Sequence, residues 1–228
     1  MKRYLYLLVI AAMLLLFSAC AVQQTTMQDV YPKMYQSPPA SILILPPVNK
    51  STAADAKEYF ACSLSEAVGM KGYYVLPVEA TFGVLRDEGL YDAENITPTV
   101  LGNMKKHFGA DAVLYSSIEK WDKSWALVSG SLNITAYFAL ISTASADTLW
   151  DYTVHTRVRL ESSSDNFLAA MLESAVKTAM EDYFPNCLKA NIMTMDEALP
   201  YGKHHPQYSL DATEPRSPVK SGEIEITK

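Results

Sequence analysis

Apolar positions change period several times along this chain, and each period names an element. An unbroken apolar run, Tyr4 to Phe17, follows Lys2 and Arg3. Ser41 to Pro47 (SILILPP) is a short apolar run closed by two prolines, the signature of a buried strand. Phe60, Leu64, Ala67 and Val68 then recur at helical spacing within a helix expected from about Ala53 to Met70. Thr52 and Asp55 form a capping-box pattern before it, and Asn49 to Thr52 otherwise reads as an anion-binding turn without phosphate-loop glycines. Tyr73 to Val78 reads as a second strand and Glu79 to Glu88 as a weak helix. Pro98 opens another helix, with Val100, Leu101, Met104 and Phe108 as its stripe and Gly109 as its stop.

A third strand follows from Ala110 to Glu119 or Trp121. The next two segments alternate strictly. Leu132, Ile134, Ala136, Phe138 and Leu140 share one face, and so do Trp150, Tyr152, Val154, Val158 and Leu160. They read as antiparallel strands, each with one buried face, joined through Ser145-Ala146-Asp147. A last helix, capped within Ser162 to Asp165, carries Leu168, Met171, Leu172, Ala175, Val176, Ala179 and Tyr183, and Pro185 is expected to end it.

The fold class predicted is α/β: a single mixed-sheet sandwich with helices packed on the sheet and a long C-terminal antiparallel hairpin. Four segments follow: residues 1–19 as a signal peptide, 20–40 as a flexible tether, 41–187 as the α/β domain and 188–228 as a polar, largely disordered tail.

The first run is too short for a membrane span, which needs about 20 apolar residues. It fits a secretory signal peptide, and Phe17-Ser18-Ala19-Cys20 resembles the recognition box of bacterial lipoproteins, with Phe17 where Leu is commoner. That resemblance implies cleavage before Cys20, a diacylglycerol on its sulfur and an N-acyl chain; no other cofactor is expected. Several acyl chains anchor stably where one does not. Ala21, which is not Asp, implies by the same resemblance sorting to the outer membrane, on its periplasmic face or at the cell surface.

The net charge of −6 becomes −8 once Lys2 and Arg3 are removed, with 17 basic against 25 acidic side chains. A chain of that balance without a basic stripe excludes nucleic acid as a partner. With Cys20 lipidated, Cys62 and Cys187 remain as either a disulfide pair or two buried thiols.

The candidate chemistry is thin. His155 is expected on a polar strand face, His107 at a helix end, and His204-His205 in the tail; none has metal-ligand spacing. Nucleophile elbows, zinc helices and phosphate loops are missing from the sequence, so no catalytic residue is assigned. Among Trp121, Trp125, Tyr137 and Trp150, strand phase puts Trp150 in the core. Tyr137 shares the polar face with Asn133 and Thr135, which makes it the candidate interaction residue.

The succession SILILPPVNKST, helix, GYYVLPVEA, helix, FGADAVLYSSIEKWD and a hairpin ending ADTLWDYTV resembles the domain of the curli-secretion lipoprotein CsgG, the synthase activator LpoB and the TolB N-terminal domain. It is most similar to a family of outer-membrane lipoproteins of unknown function whose genes accompany a CsgG-like protein. Pore strands like those of CsgG have no counterpart here. The resemblance implies a non-enzymatic, lipid-anchored binding or scaffold module in envelope assembly or secretion, partnered by a CsgG-like lipoprotein or by copies of itself. The alternative is an envelope hydrolase or peptidoglycan-active enzyme, which would need a clustered, pKa-shifted constellation.

Overall fold

The computed structural model describes residues 24–52, 56–87, 93, 96–126, 129–161 and 183–227. The signal peptide, Cys20, Asp55 of the expected capping box and the stripe Leu168 to Ala179 lie outside them.

Strand β1 (Ser41–Ile44) is central to the parallel half of the sheet, between β3 (Tyr74–Val75) and β4 (Ala112–Ala126), both parallel to it. Its sequence has no polar side to spare. Ile42 and Ile44 enter one core while Leu43 and the following Leu45 enter a second on the opposite face. A strand buried on both faces must be covered twice, and it is. Helix α3 (Ala56–Met70) lays Phe60, Ala61, Leu64, Ala67 and Val68 on the first face. Helices α4 (Val78–Asp87) and α5 (Pro98–Phe108) cover the second with Leu85, Leu101 and Met104. The ends of α5 are those its sequence specifies. Thr97 Oγ1 accepts from the Val100 amide at 3.3 Å, Pro98 occupies the first turn, and Gly109 closes the helix at φ +68°. The two-residue β2 (Val48–Asn49) pairs alongside β4.

Beyond this half, β4, β5 (Ser129–Ser142) and β6 (Thr148–Glu161) form a three-stranded antiparallel meander, and β7 (Ser221–Thr227) joins parallel to β6 at the edge. The sheet order is β3-β1-β4-β5-β6-β7. A bulge between Ile118 and Lys120 shifts the phase of β4, so that Ile118 and Trp121 both face the first core although three residues apart. Phe138, Trp150 and Tyr152 fill that core beneath α3 and α6 (Tyr183–Ala198), with Phe60 stacked on Phe138 at 5.6 Å.

Four sequence expectations are corrected. The β5–β6 hairpin pairs as its alternation predicts, but β4 extends it into a meander and α6 and β7 follow it, so it is not C-terminal. Pro185 does not end a helix but lies inside α6, which runs Tyr183–Ala198. The tether of residues 20–40 is ordered from residue 24: α1 (Met27–Val30) and α2 (Pro32–Gln36) bury Met27, Tyr31 and Met34, which recur at i, i+4 and i+7. The tail is ordered too, because Ile224 and Ile226 of β7 are inserted into the core while Glu223 and Glu225 face out.

Candidate functional site

The helix layer of the second face stops at Tyr115, which packs against the edge of that core. Past it, the outer face of the meander has no helix over it among the described residues, and its side chains form cross-strand rows. Ser117, Tyr137 and Thr153 lie side by side, then Lys120, Thr135, His155 and Glu223, then Asp122, Asn133, Arg157 and Glu225. Neighbours across the strands are the pairs that stabilise a sheet, and here they also fix the geometry of the surface. Thr135 Oγ1 and His155 Nδ1 are 3.1 Å apart, and Arg157 Nε donates to Asn133 Oδ1 at 3.0 Å. Arg159 is paired with Glu225.

Tyr137 is half-buried and meets Tyr115 edge-on, with ring centroids 6.2 Å apart. Burial, with the Asp151 carboxylate adding to it, raises its hydroxyl above the usual phenol range, so Tyr137 presents a neutral O–H. At the margin of this face, Lys50 Nζ and Ser117 Oγ both donate to Glu119 Oε1 at 2.8 Å, and the Lys50 bond holds that carboxyl below its usual range. Lys50 belongs to the Asn49–Thr52 turn, where the Asn49 side chain accepts from the Ser51 amide at 3.0 Å.

A second polar cluster lies under the segment that follows α6. Lys71 is 5% exposed, its ammonium 3.3 Å from the Asp196 carbonyl oxygen and 3.8 Å from the Tyr201 ring centroid. Burial pulls its pKa down against the opposing effect of the Asp196 carboxylate. His205 stacks on the far side of Tyr201 at 4.1 Å. The backbones meet so closely here that a Cβ on Gly72 would lie 2.4 Å from the His205 nitrogen, and Gly72 also holds φ +84°. Asp211 is 2% exposed and accepts from the Tyr201 amide at 2.9 Å. Burial and the nearby Asp211 carboxylate raise the Tyr35 hydroxyl far above its usual value. The cavity beside these residues, lined also by Glu197 and Arg216, measures about 60 Å³. That is room for a water or two and far below the several hundred Å³ of a ligand pocket.

Of the residues singled out in sequence, Tyr137 stands on the open face beside Tyr115, and His155 is exposed in the next row. Trp121 and Trp150 are core, while the side chain of Trp125 lies outside the described residues. His107 is exposed in the last turn of α5. His204 and His205 are in the ordered segment, where His204 N donates to the Gly72 carbonyl at 3.1 Å. The disulfide alternative is corrected: Cys62 is exposed on α3, Cys187 is buried on α6, and no bond joins them. Burial pushes the Cys187 thiol up to about 12. Among the described residues, no group of three or more His, Cys, Asp or Glu could hold a metal ion. Sequence reasoning missed Lys71, Tyr201 and Asp211, whose neighbourhood is built by contacts more than a hundred residues apart in the chain.

A mixed sheet covered on both sides in its parallel half, with polar cross-strand rows on the outer face of its meander, defines a domain of the α/β class. Residues 29–205 match the family described as putative lipoprotein GNA1162-like, and the chain belongs to that family. It is 29% identical over 165 residues to the putative lipoprotein NMB1124/NMB1162 of Neisseria meningitidis, which covers 72% of this chain and 76% of that protein. Among solved structures, the crystal structure of lipoprotein GNA1162 from Neisseria meningitidis is 26% identical, covers 63% of this chain and 99% of that one, and has a TM-score of 0.48. The solution structure of E. coli LpoB is 16% identical, covers 59% of this chain and 70% of that one, and has a TM-score of 0.41.

Proposed function

We propose that this lipoprotein is a non-enzymatic binding module of the outer membrane, lipidated at Cys20 after cleavage behind Phe17-Ser18-Ala19. It holds an envelope protein, a CsgG-like lipoprotein by preference, on the open face of the meander during envelope assembly or secretion. The observation that carries this reading is the face itself. A sheet half with no helix over it among the described residues, with a tyrosine pair at its margin and rows of hydrogen-bonded polar side chains beyond, has the composition of an interface core and its rim. The family supports the anchor. No described helix is long and apolar enough to cross a membrane.

The test is in-cell photo-crosslinking with the probe placed at Tyr137, against the same probe at Arg86, which is exposed on α4. A discrete adduct with an envelope protein at position 137 and none at 86 is expected. Identical adducts at both positions, or none at 137, would remove the open face from the proposal. Intact mass of the membrane-extracted chain, beside Cys20→Ala, checks the anchor: acyl mass and membrane retention are expected for the first only.

A further inference from the structure

The chain is fastened to its own domain almost immediately after the position read as lipidated. The Arg216 amide donates to the Thr25 carbonyl at 2.7 Å, and the Met27 amide donates to the Glu214 carbonyl at 2.9 Å. Thr26 and Pro215 form an antiparallel bridge between them. A capping box then starts α1, with the Thr26 amide donating to Asp29 Oδ2 at 2.9 Å and the Asp29 amide to Thr26 Oγ1 at 3.3 Å. Met27, Tyr31 and Met34 sink into the core directly behind. Backbone bonds to one segment and three buried side chains make this a fixed part of the fold.

The leash that remains runs from Cys20 to Thr25. Five residue steps reach at most about 18 Å even when fully drawn out. A twenty-residue tether of the kind the composition implies would reach about 60 Å. The fastened segment lies at one end of the sheet. Arg216 stands over the Tyr152 ring, Tyr31 Oη donates to the Asp151 carbonyl at 3.1 Å, and Lys33 of α2 pairs with Asp147 in the β5–β6 turn. From Thr148 at this end, β6 runs thirteen residue steps to Glu161, about 43 Å at the usual strand rise. The leash is shorter than half of that.

We infer that the domain is held against the phospholipid surface by this end, with Thr25, Gln28, Lys33 and Lys220 turned to the headgroups and the far end of the meander pointed away. The inference rests on lipidation of Cys20. The chemistry at this end suits the occupant. Lys33 and Lys220 are 53% and 40% exposed at their side chains although each has a carboxylate partner, Asp147 and Asp151. An ammonium has three donors, so each keeps hydrogens for phosphate oxygens. In this orientation, the row of Asp122, Asn133 and Arg157 stands farther from the lipid than the row of Ser117, Tyr137 and Thr153, nearer the anchored end.

The test uses the full-length lipidated chain in vesicles of phosphatidylethanolamine and phosphatidylglycerol doped with a nitroxide-headgroup lipid. A fluorophore is attached at Gln28→Cys or Asp122→Cys, both exposed positions, in a Cys62→Ser background. Quenching at position 28 is expected to exceed that at 122 at least threefold. A flexible fifteen-residue Gly/Ser insertion between Gln23 and Gln24 is expected to bring the two together. Equal quenching in the uninserted, vesicle-bound chain, or an insertion without effect, would overturn the orientation. A chain with no acyl mass that leaves the vesicles would overturn the anchor instead.

Discussion

Asp111 sits where β1, α5 and β4 converge, and it holds them by one carboxylate. Its Oδ2 accepts from the Ala40 and Ser41 amides at 3.0 and 3.1 Å, while Oδ1 takes the Lys105 ammonium at 2.6 Å. Burial alone would raise its pKa, but Lys105 and the two amides outweigh burial and hold it at about 2. A carboxyl lowered in the folded state stabilises the fold fully above the unfolded value near 4, and that contribution disappears as pH falls through about 2. The side chain is 36% exposed, so after allowance for solvent screening Asp111→Asn should cost about 1 kcal/mol at pH 7. Urea titrations of both proteins should show the gap closing towards pH 2; a constant gap would contradict the assignment. The two thiols offer another check at the same scale. Iodoacetamide should modify Cys62 and spare Cys187 in the native chain, then modify both after denaturation, read by peptide mass. Native labelling of Cys187 would contradict its burial. Tyr137 was legible from strand phase alone. Lys71 was not, because a lysine after a helix gives no sign that a tyrosine 130 residues later will lie over its ammonium.

At the scale of elements, period was the reliable guide wherever it ran long. The ends of α5 and the facing of β5 and β6 follow from Pro98, Gly109 and strict alternation. Short amphipathic pieces were overlooked. Gly222, Ile224 and Ile226 alternate with Glu223 and Glu225 over only a few residues, and the polar surroundings outweighed that signal. β7 gains its stability by pairing with β6 rather than from propensity, as strands commonly do. Ile224→Ala should therefore cost about 2–4 kcal/mol, with Glu223→Ala within about 0.5. Thermal melts of both variants decide it, and a silent Ile224→Ala would return these residues to a disordered tail. The bulge at Glu119 was equally hidden, since one extra residue in a strand is visible only once both partners are aligned.

For the whole molecule, sequence spoke more clearly about layers than about closure. Two-sided burial of β1 demanded helices above and below, and one-sided alternation in β5 and β6 left a face without a helix among the described residues. That the first and last segments of the domain meet could not be read, because the bridge between Thr26 and Pro215 spans almost the full length of the described chain. It has a consequence in time. A chain that emerges N-terminus first has Met27, Tyr31 and Met34 available long before residues 214–227 appear, and contacts of such separation form late. Until then Tyr152 lacks Arg216, β6 lacks its outer neighbour, and a strand edge stands bare. The interval between the release of β6 and the arrival of β7 is thus when this protein is most exposed to misassembly, and when a chaperone would have most to hold.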